Sequence, residues 1–202
     1  MRRLLIFLKY PTPGRVKTRL AASIGAEAAC KVSRAFAELT LAHMGTFRDE
    51  TLLCVAPPAA CSRIREWLGE TWRLHPQRGR TLGDRLAEAT DRAFSDGANQ
   101  AVVIGTDSPW LTANDVTAAF EALQDHDVVL GPTQDGGYYL IGLAQPQPAL
   151  FHDISWSTSS VYAQTLARAD RLGLRAQSLQ EGYDVDRIED VERFLGRETP
   201  HA

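Results

Sequence analysis

Two apolar runs, Asp127–Leu130 and Tyr138–Gly142, close on the connection Gly131-Pro132-Thr133-Gln134-Asp135-Gly136-Gly137. The runs read as buried strands, being short, apolar and rich in β-branched or aromatic residues. So short a gap predicts a hairpin, because parallel neighbours need a much longer crossover. A second strand-to-loop junction runs Ala101-Val102-Val103-Ile104-Gly105 straight into Thr106-Asp107-Ser108-Pro109. Each junction delivers one carboxylate, and the two glycines after Asp135 permit positive φ or close approach of a ligand. Carboxylates at strand ends predict a site at the carboxyl edge of a sheet.

Further strand-like runs fall at Leu4–Leu8 and Thr51–Val55, with a weaker one near Arg175–Leu179. Helical spacing lies between them. Val32, Phe36, Leu39 and Phe47 predict one face of a long helix; Leu82, Leu86, Ala89 and Ala93 predict another. Ala113–Leu123 forms a third, with Thr112 and Asp115 placed as a capping box. Tyr162, Leu166, Ala169 and Leu172 mark a fourth, and Ile188, Val191 and Leu195 a last one ending at Gly196. Strands alternating with amphipathic helices predict a three-layer α/β fold, its sheet mostly parallel but mixed by the hairpin. With 202 residues and no repeat or linker, a single domain spanning 1–202 is expected.

Net charge of −3 and pI about 6.0 give no general basic field for nucleic acid or an anionic membrane. The first apolar run is five residues, below the roughly 7–15 of a signal-peptide core. Cys30, Cys54 and Cys61 form no CxxC pair, so they fit reduced thiols and a cytoplasmic protein. His43, His75, His126, His152 and His201 show no HxxxH or HExxH spacing, and GxSxG is absent.

The segment Pro11-Thr12-Pro13-Gly14-Arg15-Val16-Lys17-Thr18-Arg19 joins the first strand to a helical pattern. Gly14 in the turn with Arg15, Lys17 and Arg19 behind it suits phosphate, and an exposed basic helix start would look the same. Asp107 suits either a turn before Pro109 or ligation of Mg²⁺ or Mn²⁺. Asp184 and Asp186 alternate on an extended segment, so they share a face that would complete a metal site begun by Asp107. Asp186 with Glu189 also fits a capping box for the last helix. Gln77–Leu86, including Gly83 and Asp84, suits contact with a base or ribose, or is a surface loop entering a helix. Trp156 stacks on a ligand or fills core, and Ser157 or Thr158 is the expected cap of the helix that follows.

The ordered segments PTPGRVKTRL, RTLGDRL, VVIGTDSPWL, VVLGPTQDGGYYLIGL, WSTSSV and YDVDRIEDVERFL resemble a bacterial family of small glycosyltransferase-A-like proteins. Its members are described as arsenosugar-biosynthesis-type glycosyltransferases or nucleotide-diphospho-sugar transferases. The chain is more distantly similar to 2-phospholactate guanylyltransferase and molybdenum cofactor guanylyltransferase. The resemblance covers nearly the whole chain and implies a Rossmann-like nucleotide-diphospho-sugar transferase (GT-A) fold. It implies phosphate binding by Gly14, Lys17 and Arg19, nucleotide contact at Gly83 and Asp84, and Mg²⁺ or Mn²⁺ on Asp107 and Asp186. Asp107 and Asp135 become the catalytic candidates, with Gly136, Gly137, Trp156 and Ser157 toward the second substrate. The sequence departs from the family pattern in two places: Thr106-Asp107-Ser108 carries one carboxylate where an acidic pair is usual, and GxGTRMxxxxPK is absent. The implied activity is glycosyl transfer from a nucleotide sugar to a small-molecule acceptor. The alternatives are nucleotidyl transfer with release of pyrophosphate, and nucleotide binding without turnover.

Overall fold

A computed structural model describes residues 1–198. Seven strands form one sheet: β1 (Arg2–Lys9), β2 (Thr51–Ala56), β3 (Leu74–Pro76), β4 (Gln100–Ile104), β5 (Val128–Pro132), β6 (Tyr138–Leu143) and β7 (Ala176–Ser178). Their order is β3-β2-β1-β4-β6-β5-β7. β6 runs antiparallel to both its neighbours, β4 and β5, and the remaining pairings are parallel. The hairpin expected from the short connection is therefore present, and it sets β6 inside the sheet.

Alternating residues of β1 serve opposite faces, as the two-residue period of a strand requires. Leu4, Ile6 and Leu8 join one core with residues of β2, β4 and β6. That core is covered by α2 (Ala26–His43), α3 (Cys61–Leu68) and α5 (Ala113–Ala122) through Leu41, Ile64 and Phe120. Leu5 joins the other core, covered by α4 (Leu82–Ser95) and α6 (Val161–Arg171) through Leu86, Ala89 and Ala169. These are the three predicted layers. A smaller cluster of Phe36, Tyr183, Val185 and Phe194 ties α2 to α7 (Ile188–Glu198) and to the segment before it.

Helix starts follow local chemistry. Thr81 caps α4 reciprocally with Asp84, and Thr112 caps α5 with Asp115 as expected. Four local expectations are corrected. Phe47 is not on the long helix, because α2 stops at His43 and Gly45–Glu50 forms a separate 3₁₀ turn. The Asp186–Glu189 box does not form: Asp190, in the first turn of α7, accepts from the backbone N–H groups of Asp186 and Arg187. Ser160 rather than Ser157 or Thr158 precedes α6, and α7 continues past Gly196 to Glu198. β3 was not anticipated: three half-buried residues ending in proline give little periodicity to read. Among the described residues no helix is long and apolar enough to cross a membrane.

Candidate functional site

The carboxyl ends of β1 and β4 lie side by side, since β1 pairs in parallel with β4 through Ile6 and Ile104. The chain leaving β1 passes through residues 10–17 into α1 (Thr18–Ile24), and the chain leaving β4 reaches Asp107. The segment after β7 returns to the same place, held by a hydrogen bond from Val185 N–H to the Asp107 carbonyl at 2.8 Å. Three distant stretches of sequence thus meet at one sheet edge.

Lys17 is where they join. It adopts the left-handed conformation, φ 45°, immediately before α1, a backbone state that is strained for a residue with a Cβ. Its side chain is 2% exposed, yet Nζ lies 2.5 Å from Asp107 Oδ1 and 3.1 Å from Asp186 Oδ1. It also donates to the Val185 carbonyl at 2.8 Å. Burial works to lower the Lys17 pKa, but Asp107 and Asp186 overcome it and hold the ammonium above its ordinary range. Arg19 approaches the other oxygen of Asp186 at 3.5 Å from the solvent side.

Asp184 lies deeper. Ser108 donates to its Oδ1 at 2.7 Å, and burial, helped by the charges of Asp107, Asp186 and Asp135, pushes its pKa up to about 6. The Ser108 hydroxyl works against that rise. Sequence reading treated Ser108 only as a neighbour of Asp107, although a serine after an apolar strand was a visible cue.

This edge opens on a cavity of about 480 Å³ lined by Lys9, Arg15, Lys17, Arg19, Asp107 and Asp186 among others. A second cavity of about 640 Å³ shares Lys9 and Arg15 and extends past Tyr10, Pro57, Gln77 and Arg85. Together they make an elongated cleft, cationic where the two cavities join. Lys9 is oriented by a hydrogen bond from Nζ to the Arg15 carbonyl.

The other candidates lie elsewhere. Gly14 turns the first loop at φ 72° with open space around it. Asp84 is occupied by capping: its carboxylate accepts from the N–H groups of Thr81 and Arg80, which hold its pKa down. A Cβ on Gly83 would sit 2.6 Å from Trp156 Nε1, so Gly83 is a packing contact between α4 and Trp156. Trp156 also meets Tyr138 edge to face at 6.4 Å. Ser157 takes φ 65°. Asp135 accepts from Thr133 Oγ1 and Gly137 N–H within its own turn. Gly136 at φ 86° lies against Ser159, whose carbonyl oxygen would be 2.0 Å from an added Cβ. None of Gly14, Gly83, Asp84, Asp135, Gly136, Gly137, Trp156 and Ser157 lines either cavity; Asp135 reaches the site only by its charge on Asp184.

Among the described residues no group of three or more His, Cys, Asp or Glu side chains is arranged to hold a metal ion. Asp107 and Asp186 are bridged by an ammonium instead.

Residues 40–158 match the family described as "Uncharacterized protein conserved in bacteria (DUF2064)". The chain belongs to this family. Its members' relatives are informative. The chain is 31% identical over 150 residues to a phosphoenolpyruvate guanylyltransferase of Chloroflexus aggregans, covering 72% of this chain and 71% of that protein. It superposes with a TM-score of 0.94 and 32% identity on a protein of Desulfovibrio desulfuricans assigned to the nucleotide-diphospho-sugar transferases, covering 100% of this chain and 89% of the other. At the level of fold alone, 4-diphosphocytidyl-2C-methyl-D-erythritol synthase of Anaerococcus prevotii aligns with a TM-score of 0.63 and 10% identity, over 97% of this chain and 99% of that one. This DUF2064 member is a nucleotide-using transferase of the nucleotide-diphospho-sugar transferase fold.

Proposed function

We propose that the protein is a nucleotidyltransferase that moves a guanosine monophosphate unit from GTP to a small anionic acceptor and releases pyrophosphate. The observation that carries this reading is Lys17, a buried ammonium held between Asp107 and Asp186 in the smaller cavity, which shares Lys9 and Arg15 with the larger one. The guanylyltransferase relatives support it over glycosyl transfer, which was the first expectation from sequence. Phosphoenolpyruvate, the substrate in their name, is the first acceptor to try.

In this reading the base and ribose occupy the cavity beside Tyr10 and Gln77, and the phosphates lie across Lys9, Arg15, Lys17 and Arg19. An oxygen of the acceptor's phosphate attacks the α-phosphorus. The bond from that phosphorus to the oxygen bridging to the β-phosphate breaks, and pyrophosphate leaves with the bonding pair. Fixed cations at a half-enclosed site stabilise the charge that grows on the leaving group without solvent reorganisation. Catalysis by positioning and charge suits phosphoryl chemistry, where the protein makes no covalent bond.

The donor chemistry fits a hard divalent cation as well. Asp107, Asp184 and Asp186 outnumber the single buried ammonium beside them; burial is the main cause of the raised Asp184 pKa, and the charges of Asp107 and Asp186 add to it. Asp107 and Asp186 would hold Mg²⁺ or Mn²⁺ as two carboxylates completed by substrate oxygens and water, and the ion would supply charge stabilisation for the transferring group. The role of Lys17 is then to keep both carboxylates in place and to add its positive charge beside the phosphates.

Product analysis tests the reading. Incubated with GTP, phosphoenolpyruvate and Mg²⁺, the protein is expected to release pyrophosphate and form a diphosphate that joins guanosine to the enolpyruvyl group. Release of nucleoside diphosphate from a nucleotide sugar, with no pyrophosphate from GTP, would return the protein to glycosyl transfer.

A further inference from the structure

The larger cavity contains a side chain whose hydrogen-bonding sense is fixed by its surroundings. Gln77 is 7% exposed and follows β3 directly, with its N–H bonded to the Val55 carbonyl at 2.9 Å. Its side-chain Nε2 donates to the Cys54 carbonyl at 2.8 Å. A carbonyl oxygen only accepts, so the amide cannot be turned round without losing that bond and facing oxygen to oxygen. That bond uses one of the two Nε2 hydrogens and fixes the amide, and Oε1, an acceptor, is left with no described residue donating to it.

A second group in the same cavity has the opposite sense. Arg85, which also lines the cavity, is anchored by a hydrogen bond from Nε to the Gly79 carbonyl at 3.2 Å, and its two guanidinium NH₂ groups remain as donors. A donor and an acceptor are thus both offered to whatever flat ring enters between Tyr10 and Pro57. Guanine carries an acceptor, O6, next to the donors N1–H and N2–H₂. Adenine reverses this, with a donor at N6 and an acceptor at N1. We propose that Gln77 selects the base, accepting from the N1–H and N2–H₂ edge of guanine and rejecting adenine. This rests on the cavity being the base site of a nucleotidyltransferase, as read above.

Rejection is stronger than attraction here, because adenine would leave a buried acceptor facing an acceptor. Calorimetric titration of GTP, ITP and ATP into the wild type and Gln77→Met measures it. The wild type should prefer GTP to ATP by about 10- to 100-fold, with ITP, which lacks N2–H₂, in between. Gln77→Met, similar in volume, should bring GTP down to within about threefold of ATP while a melting curve confirms folding. An unchanged GTP-to-ATP ratio in the folded variant overturns the role of Gln77 and leaves nucleotidyl transfer standing. If the variant does not fold, the wild-type series decides alone: equal binding of GTP, ITP and ATP overturns the selection. A wild type that binds no nucleoside triphosphate overturns the base site itself, and with it this role.

Discussion

Two loops of this chain look alike in sequence and behave differently in the fold. Residues 10–17 and 133–137 each follow an apolar strand, and each combines glycine with charged or polar residues. In the first, Gly14 bends the chain in open space and Lys17 is delivered, in a strained left-handed conformation, into the cleft. In the second, Gly136 closes against the Ser159 backbone and Asp135 folds back on Thr133 and Gly137. Glycine beside a carboxylate therefore serves intramolecular packing as readily as ligand approach. What separates the two is the distant chain that meets them: Asp107 and Asp186 in one case, the entry to α6 in the other.

The sharpest way to break that contrast is a methyl group at each glycine. Gly136→Ala should cost at least about 3 kcal/mol, since its Cβ collides with a backbone oxygen and φ is positive. Gly14→Ala meets only the cost of the left-handed backbone, about 1–2 kcal/mol. Urea denaturation of both variants reads the difference, and equal losses would erase the distinction between a packed turn and a free one.

The first loop's partners are tested by charge. Asp107→Asn and Asp186→Asn should each weaken Mn²⁺ binding about tenfold or more, in the presence of GTP, by electron paramagnetic resonance titration. Asn keeps the size of each side chain and an acceptor oxygen toward Lys17, so both variants should remain folded. Equal metal affinity in both variants and the wild type would leave the two carboxylates as partners of Lys17 alone.

The smallest expected effect concerns Asp184. Its folded pKa, about 6, exceeds the unfolded value near 4, so the folded chain binds the extra proton in that window. Stability from this group is therefore gained as pH falls through about 6 and lost as pH rises. In metal-free buffer the wild type should gain about 1 kcal/mol on Asp184→Asn between pH 7 and pH 5. A pH-independent difference would contradict the burial of that carboxyl.

Much of this was legible in the sequence. Apolar runs marked five of the strands because buried strands leave a contiguous signal, β7 with its half-buried Ala-Gln-Ser gave only a weak one, and the short 131–137 connection announced the antiparallel β6. β3 escaped because an edge strand of three residues buries too little to show a pattern. Asp107 and Asp186 pair in the sequence as one metal site, with Lys17 assigned separately to phosphate. The ammonium that bridges the two carboxylates was not legible, because it depends on the return of residues 182–186 to the end of β4. Gln77 stood in a stretch suited to a base, while the sense of its amide depends on the Cys54 carbonyl across the β2–β3 pairing.

The central claim is that the basic loop and the two carboxylates form one nucleotide site around Lys17. Lys17→Met removes the ammonium while keeping the length of the side chain. Both carboxylates can still reach water, at 57% and 33% side-chain exposure, so the variant should remain folded by circular dichroism. Titrated with GTP and Mg²⁺ by calorimetry, with pyrophosphate release followed in parallel, it should bind about tenfold more weakly and turn over about 10²- to 10³-fold more slowly. A folded Lys17→Met protein with wild-type GTP affinity and turnover would contradict the account.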